Sequence, residues 1–270
     1  MPIRSKDTTL VRRHTWITRI THWVWAISSF FLLLTGLQIF NAHPALYLGD
    51  QSGFAFSNTV LEIGEQDGAG FLSILGMRFD GFAVLGLSGG AARAFPQWAT
   101  IPSGIDLATG RVIHFFFAWI FVGTLLIWTI GAFRSKHIQR DLTPRTSDLT
   151  GLLRDIRDHL RLRFHHGPRY GPLQRLSYGI VLFVLFPLIV ATGFAMSPGL
   201  NAAMPWLPEL LGGRQTARTL HFLAAFGLLI FVVVHLVMVL LAGPLNEMRA
   251  ITTGWYRATT DNRKDVDHDV

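Results

Sequence analysis

The stretch Arg218–Leu241, RTLHFLAAFGLLIFVVVHLVMVLL, decides the fold, because it is uncharged after its first residue and long enough to cross a bilayer as a helix. It contains two histidines, His221 and His235, fourteen residues apart. Fourteen residues make nearly four helical turns, so both imidazoles lie on one face, about 21 Å apart along the axis. That distance is too great for one metal ion. The spacing therefore favours two separate sites at different depths, each completed by a ligand from another helix.

The composition predicts a membrane protein. Of the 270 residues, 50% are hydrophobic and 15% are charged, whereas a soluble domain has about 25% charged residues. The chain contains no cysteine, which excludes disulfides, thiolate-held iron–sulfur clusters and the thioether attachment of c-type haem. A redox cofactor must therefore be held non-covalently, with histidine as the obvious ligand.

Four long apolar stretches, charged at most near one end, predict an all-α membrane protein built on a four-helix transmembrane bundle. The predicted spans are about 17–40, 112–133, 176–197 and 217–241. Pro187 should distort the third span, since a proline inside a helix removes a backbone donor. The first span is longer than a signal-peptide core and lacks a small-residue cleavage site, so we expect it to be retained.

The connections between the spans differ in character. Residues 41–110 form a long loop, rich in glycine, proline and aromatic residues, which we expect to have a compact structure of its own over the bundle. The basic loop 134–175 contains an amphipathic element, Ser147–Phe164, whose first residue should be its N-cap. This element lies either in the membrane interface or in solvent as a linker helix. Residues 1–16 and the tail 244–270 are polar, and the end of the tail is expected to be disordered.

The basic residues indicate how the bundle is oriented. With four spans, the N-terminus, loop 134–175 and the tail share one side, which holds nineteen Lys and Arg residues against five on the other. The positive-inside rule therefore places both termini in the cytoplasm and loop 41–110 on the opposite, outer side of the membrane. The same distribution explains the net charge of +7 without any role in nucleic-acid binding.

Four of the eleven histidines fall within the predicted spans, and their depths form two pairs. His22 and His235 lie near the cytoplasmic ends of the first and fourth helices. His114 and His221 lie near the outer ends of the second and fourth. The orientation rests on the basic residues alone, so this agreement is an independent check. The remaining seven are interpreted as loop histidines: His14, His43, His137, His159, His165, His166 and His268.

An arginine stands three residues before three of these histidines, in the pairs Arg19/His22, Arg111/His114 and Arg218/His221. Such an arginine lies on the same helix face, one turn nearer the membrane surface. Because haem carries two propionates, a ligand inside the bilayer and a guanidinium one turn outward match its two ends. A zinc site would need three or four ligands close together. One such pair alone would indicate only a snorkelling anchor, but three in register favour two haem b sites with propionate-binding arginines.

The two halves of the chain also resemble each other. Arg111-x-x-His114-Phe115 matches Arg218-x-x-His221-Phe222, and Thr35-Gly36 recurs as Thr192-Gly193. This pattern is typical of a duplicated helix pair. Glycines within the spans would let either a flat macrocycle or a neighbouring helix approach the backbone. An iron-bound histidine usually offers its other ring nitrogen to a carbonyl or hydroxyl, and Thr219 and Ser28 are the predicted partners.

These motifs resemble those of the four-helix di-haem cytochrome b subunits of bacterial respiratory complexes, a cytochrome b561-like family that includes the membrane subunits of nickel–iron hydrogenases, formate dehydrogenase and thiosulfate reductase. The resemblance is carried by Arg19-Ile-Thr-His22-Trp23, Leu34-Thr35-Gly36-Leu37, Arg111-x-x-His114 and the histidine pair of the last span. In that family, histidines matching His22 and His235 hold the cytoplasmic-side haem iron, and those matching His114 and His221 hold the periplasmic-side iron.

The resemblance implies an electron-transfer subunit between a periplasmic oxidoreductase and membrane quinone, rather than a stand-alone enzyme. The long loop 41–110 is similar to versions whose partner is a molybdopterin-type subunit. The implied quinone site near the cytoplasmic haem is not placed by the sequence, where His14, Asn246 and Arg249 are merely polar residues at that level. Two alternatives stay open. One is a self-contained superoxide:quinone oxidoreductase of the cytochrome b561 type. The other is a transporter with a histidine proton relay, which predicts acidic residues within the spans, and these are absent.

Overall fold

The computed structural model of the chain describes residues 8–53, 56–136, 138–143, 146–161 and 171–259. Its helices are α1 (Trp16–Asn41), α2 (Leu107–Arg134), α3 (Thr146–Leu160), α4 (Pro172–Ile180), α5 (Phe186–Met196), α6 (Pro198–Ala203), α7 (Trp206–Leu210), α8 (Arg214–Ala242) and α9 (Pro244–Thr253). Its strands are β1 (Thr8–Arg12), β2 (Ala45–Tyr47), β3 (Thr59–Gln66), β4 (Ala69–Ile74), β5 (Met77–Phe82), β6 (Gly86–Ser88), β7 (Ala91–Arg93) and β8 (Trp255–Thr259).

Four helical segments are long and apolar enough to cross a membrane: α1, α2, the segment from α4 through α5, and α8. Their ends differ from those of the four predicted spans by at most five residues. Large apolar side chains on these helices are more than half exposed, among them Ile27, Phe30, Ile130 and Leu240. A soluble protein does not expose this much continuous apolar surface, and lipid-facing helices require it. The chain is therefore a multi-pass membrane protein.

The chain divides into two compact units. One contains residues 1–23, 125–184 and 228–270, and the other contains residues 24–124 and 185–227. His22 and His235 belong to the first unit, whereas His114 and His221 belong to the second. Each predicted pair of histidines therefore lies within a single unit.

The third span contains a π-helical turn at Val181–Leu185, directly before Phe186 and Pro187. A proline has no N–H for the carbonyl four residues earlier, and in a regular α-helix its ring would clash with that carbonyl. A π turn, whose hydrogen bonds are one residue longer, accommodates this interruption. The distortion predicted at Pro187 is thus a widened turn.

The prediction of an all-α protein is wrong for the segment between α1 and α2. Strands β2, β3, β4 and β5 form an antiparallel sheet in that order, and β6 pairs with β7 as a separate hairpin. The segment has a structure of its own, as expected, but that structure is built from strands and not from helices. The connection between the third span and α8 contains two short helices, α6 and α7.

The sheet segment is anchored on α1 and α8 by a cluster of aromatic and aliphatic side chains. Phe40, Leu46, Ile63 and Phe95 are buried there, and Phe222 of α8 packs against them. Nearby Arg93, only 3% exposed, donates to the carbonyls of Phe95 and Ser103 and to the side chains of Gln38 and Thr100. A buried guanidinium requires such partners, so these bonds fix the segment to α1.

The start of α8 is held by the same segment. The backbone N–H of Arg214 donates to the Asp50 carboxylate at 3.1 Å, and the carbonyl of Gly49 accepts from the next two residues of α8. This supplies acceptors for the free donors of the first helical turn. Gly213 has a φ of 104°, and a side chain there would meet the backbone of Gly49 at 2.5 Å. Only glycine allows this close approach.

The polar termini fold onto each other, so the described part of the predicted polar tail 244–270 contains a helix and a strand. Strands β1 and β8 pair antiparallel, and α9 follows α8 after a break at Gly243, whose φ is 104°. Arg13 forms an ion pair with Glu247 at 3.1 Å. We call β1, α9 and β8 the terminal clasp. Residues 260–270, where the disordered end was predicted, lie outside the described residues.

The amphipathic element of the basic loop is α3, which begins at Thr146. Ser147 therefore lies inside the first turn and is not the N-cap, while Phe164 lies outside the described residues. The position of α3 in the membrane interface stays a prediction.

Candidate functional site

The histidines of the second unit, His114 on α2 and His221 on α8, face each other. Their ring centroids are 6.4 Å apart, and the ring planes are inclined by 58°. Both side chains are half-buried. The first unit repeats this arrangement: the rings of His22 on α1 and His235 on α8 are 6.3 Å apart and inclined by the same 58°.

These separations match two imidazoles that bind one metal ion from opposite sides. A metal–imidazole bond is about 2 Å long and the nitrogen stands about 1.1 Å from its ring centroid, so two coaxial ligands have centroids about 6.2 Å apart. The described part of the chain contains no group of three or more His, Cys, Asp or Glu residues able to hold a metal. A two-ligand site fits a metal whose remaining positions are filled by a macrocycle, as in six-coordinate haem.

In the second unit, a threonine determines which nitrogen of each imidazole is free. The hydroxyl of Thr192 donates to the carbonyl of Leu188 at 2.7 Å and lies 3.0 Å from Nδ1 of His221. Because its proton is committed to the carbonyl, the hydroxyl accepts from Nδ1–H. His221 is therefore held as the Nδ1–H tautomer, with Nε2 free to bind a metal.

The same arrangement holds His114. The hydroxyl of Thr35 donates to the carbonyl of Phe31 at 2.6 Å and lies 2.9 Å from Nδ1 of His114. Thr35 and Thr192 are both fully buried, at 0% exposure. No water competes for these hydroxyls, so each imidazole has a fixed orientation.

A glycine follows each threonine and lies against the same imidazole. A side-chain carbon at Gly36 would stand 3.5 Å from Cε1 of His114, and one at Gly193 would stand 3.5 Å from Cε1 of His221. Those distances are ordinary contact for a methyl group, but they leave no room for a larger side chain. The recurring Thr-Gly dipeptide is thus a cradle for one imidazole in each half of the duplication.

Thr219 and Ser28, the predicted partners of the histidines, do not contact them. The hydroxyl of Thr219 donates to the carbonyl of Tyr47 at 2.7 Å, which helps to hold α8 to the sheet segment. The hydroxyl of Ser28 is buried and has no partner among the described residues. Proximity along the helix suggested these two residues, but the hydroxyls that reach His114 and His221 come from the opposite helices, α1 and α5.

The first unit holds its pair of histidines differently. Nδ1 of His22 is buried and has no hydrogen-bond partner among the residues that the structure describes. The ring of Phe231 stacks on His235, with centroids 5.7 Å apart and planes inclined by 15°, and Tyr178 contacts Phe231 edge-on at 6.2 Å. Apolar packing therefore takes the place of the threonine bonds on this side.

The three arginines of the Arg-x-x-His pattern lie beside their histidines and contact nearby backbone or rings. Arg19 donates to the carbonyl of Thr252 in the terminal clasp, and Arg218 donates to the carbonyl of His43. Arg111 lies 5.7 Å from the ring of Phe115. None of the three has an acidic partner among the ion pairs of the described residues, which leaves their charge available for an anionic group. Their role at the propionates stays a prediction.

The surroundings of His43 support its interpretation as a loop histidine. Burial and the Arg218 guanidinium lower the pKa of His43 below its usual value, and the Glu62 carboxylate only partly opposes them. His43 is therefore neutral at pH 7. Its ring stacks on Tyr47, with centroids 5.6 Å apart. His137, His165, His166 and His268, and the side chain of His159, lie outside the described residues.

Comparison with known proteins gives two matches. Residues 13–254 match the family described as prokaryotic cytochrome b561, a range that includes all four paired histidines and the three arginines. The putative protein-methionine-sulfoxide reductase subunit YedZ1 of Azospira oryzae is 25% identical over 225 residues, which cover 83% of this chain and 87% of the relative.

Proposed function

Because the chain belongs to the prokaryotic cytochrome b561 family, whose members are membrane proteins that bind haem b, we propose that it carries electrons through two b haems. The electrons pass between the quinone pool of the bacterial inner membrane and a periplasmic oxidoreductase subunit. His22 and His235 bind the cytoplasmic-side iron, and His114 and His221 bind the periplasmic-side iron. In this proposal both termini are cytoplasmic.

One observation carries the assignment of the ligands. Two histidine pairs on different helices have ring centroids 6.3 Å and 6.4 Å apart, both with a 58° inclination. Isolated histidines that merely fill space between helices have no reason to adopt one repeated geometry at two depths. The spacing supports a shared iron at each pair.

The residues of the chain prepare each site before the cofactor binds. Thr35 and Thr192 accept the Nδ1–H bonds of the periplasmic-side histidines and so direct each Nε2 toward the iron. Gly36 and Gly193 keep the space beside the rings clear. A haem held by the two histidines of each pair would supply a one-electron couple, and an iron held by both histidines would have no position for O₂. The arginines one turn outward are placed to bind the propionates as charge-assisted partners.

The relative supports the proposed partner. Its name describes a subunit of a protein-methionine-sulfoxide reductase, and reduction of a sulfoxide consumes electrons. We therefore propose that this chain takes electrons from quinol and delivers them to a periplasmic reductase, of molybdopterin type. The folded segment between α1 and α2 offers the surface on which such a subunit docks.

An absorption spectrum and a haem assay test the proposal. The purified chain, reduced with dithionite, should show a b-type α-band and contain two haems per chain by the pyridine haemochromogen method. A colourless protein, or one haem per chain, would refute the two-haem assignment.

A kinetic assay separates the subunit from the self-contained enzyme. The isolated chain should be reduced by a menaquinol analogue but should not turn over superoxide and quinone. Fast superoxide-driven quinone reduction without any partner would replace the subunit proposal with the superoxide:quinone oxidoreductase. The proton-relay transporter lacks support, because the described spans contain two-histidine sites and no acidic residue.

A further inference from the structure

A basic cleft opens on the terminal clasp, next to the end of α8. Its volume is about 510 Å³, and it is lined by Leu10, Arg249, Thr253, Trp255 and Arg257. All five residues belong to β1, α9 or β8. None of them takes part in the histidine sites, and none is acidic.

The alternation of β8 directs two of these side chains outward. Tyr256 and Ala258 are buried, at 4% and 7% exposure, and pack with Ala250 of α9. Trp255 and Arg257 therefore lie on the opposite face of the strand. In the antiparallel pairing Leu10 stands across from Arg257, so it shares that outer face. The register of the clasp thus places an arginine between two apolar side chains.

Among the described residues, no carboxylate neutralises the two guanidiniums of the cleft. Neither Arg249 nor Arg257 has a side-chain hydrogen bond or an ion pair within the described part of the chain. The hydrogen bonds of these two residues are made by their backbones: Arg257 exchanges two with the side chain of Asn246, at 2.9 and 3.0 Å, and the carbonyl of Arg249 accepts from the hydroxyl of Thr253 at 2.7 Å. Arg13 differs, since Glu247 balances its charge. The cleft therefore presents two positive charges to whatever enters it.

The cleft also lies at a membrane boundary. Helix α9 begins two residues after the end of α8, a helix long and apolar enough to span a membrane. Around the cleft Leu10, Leu245 and Trp255 are 59%, 87% and 46% exposed. Tryptophan is enriched where the headgroups meet the hydrocarbon, and exposed aliphatic residues at that level face acyl chains. Apolar and cationic groups thus stand side by side at the depth of the lipid phosphates.

We propose that this cleft is a binding site for an anionic phospholipid. Arg249 and Arg257 hold the phosphate through charge-assisted hydrogen bonds. The hydroxyl of Thr253 donates to the carbonyl of Arg249 and accepts from the N–H of Trp255, so it shapes the cleft and does not bind the phosphate. Leu10 and Trp255 contact the glycerol backbone and the first methylenes of the chains. A neutral headgroup such as that of a quinone would leave both charges uncompensated. Because the lipid contacts β1, α9 and β8 together, it stabilises the terminal clasp, which links the start of α1 to the end of α8.

Native mass spectrometry of the holoprotein in detergent tests this site. Phosphatidylglycerol and phosphatidylcholine are titrated separately, with glycerol phosphate as a headgroup control. The test variant is Arg249→Gln/Arg257→Gln. The matched control is Arg134→Gln/Arg154→Gln, which removes the same charge from exposed positions outside the cleft. Haem content and absorption spectrum check that each variant is folded. The single variants Arg249→Gln and Arg257→Gln replace the double variant if it fails that check.

The wild type should bind one phosphatidylglycerol roughly tenfold or more tightly than phosphatidylcholine, since each basic residue near the surface strengthens anionic-lipid binding severalfold. The test variant should lose this preference, and the control should keep it. Three results would overturn the proposal: equal binding of the two lipids by the wild type, equal losses in test and control variants, or displacement of the lipid by an equal concentration of glycerol phosphate. The last result would identify a site for free phosphate groups.

Discussion

The substitution Thr192→Val tests how the periplasmic-side site is built. Valine keeps the shape of threonine but replaces the hydroxyl by a methyl group, so Nδ1–H of His221 loses the acceptor that lies 3.0 Å away. Thr192 is 0% exposed, so water cannot replace the hydroxyl. A buried donor without a partner costs about 1–3 kcal/mol, which weakens haem binding about 5- to 150-fold. This range includes the 10- to 100-fold loss of metal affinity typical when such outer partners are removed.

The assay combines haem content with a redox titration. The variant should lose up to one haem per chain when the protein is diluted in detergent, because weakly bound haem then dissociates into the micelles. The haem that remains should have a higher midpoint potential, because an imidazole without its Nδ1–H acceptor is a weaker donor to ferric iron. Thr35→Val should act in the same way through His114. Thr219→Val is the matched control, because its hydroxyl bonds to Tyr47 and not to an imidazole. The reasoning is refuted if Thr192→Val leaves both haems and both potentials unchanged, or if Thr219→Val has an equal effect.

Two further substitutions test the cradle and the clasp. Gly193→Leu should remove the periplasmic-side haem, whereas Gly193→Ala should retain it. The first side-chain carbon stands at contact distance from His221, and the rest of leucine would displace the imidazole ring. Equal haem content in both variants, measured as pyridine haemochromogen, would argue against the cradle. Glu247→Ala should destabilise the folded protein by about 1–3 kcal/mol, since it removes the carboxylate that pairs with the largely buried Arg13. Thermal unfolding of the holoprotein measures this loss of stability, and Glu209→Ala, at an exposed position, is the control. Identical unfolding temperatures for the two variants would contradict the expected role of the ion pair.

The four spans are predictable because a bilayer imposes a simple rule of length and polarity on the sequence. The depth of each histidine follows from the same rule, so the order of the residues alone groups His22 with His235 and His114 with His221. The fold brings together the same two pairs. Their role as iron ligands remains a prediction.

The hydrogen-bond partners of the histidines could be identified only from the fold. Thr35 and Thr192 lie on different helices from the imidazoles that they orient, and no local pattern predicts a contact between helices. A signal is nevertheless present in the sequence. The Thr-Gly dipeptide recurs in both halves at the depth of the periplasmic-side histidines, and its position in the duplication, rather than helix adjacency, would have identified the threonines.

The strands between α1 and α2 escaped prediction for a different reason. β3 is half-buried along most of its length and lacks a strict alternation of apolar and polar residues. β5 alternates at residues 77–80, but it is short and exposed throughout, so the alternation does not mark a buried face. The pairing of β1 with β8 joins the two ends of the chain, and such long-range pairing leaves no local trace.

The most direct test of two stacked haems is the haem content of two single variants, His221→Ala and His235→Ala. Each should retain one b haem per chain, and the two variants should lose different components of the reduced α-band and of the redox titration, because each histidine serves a different pair. A variant that keeps two haems with unchanged potentials would contradict the assignment of the iron ligands on which the proposed electron path depends.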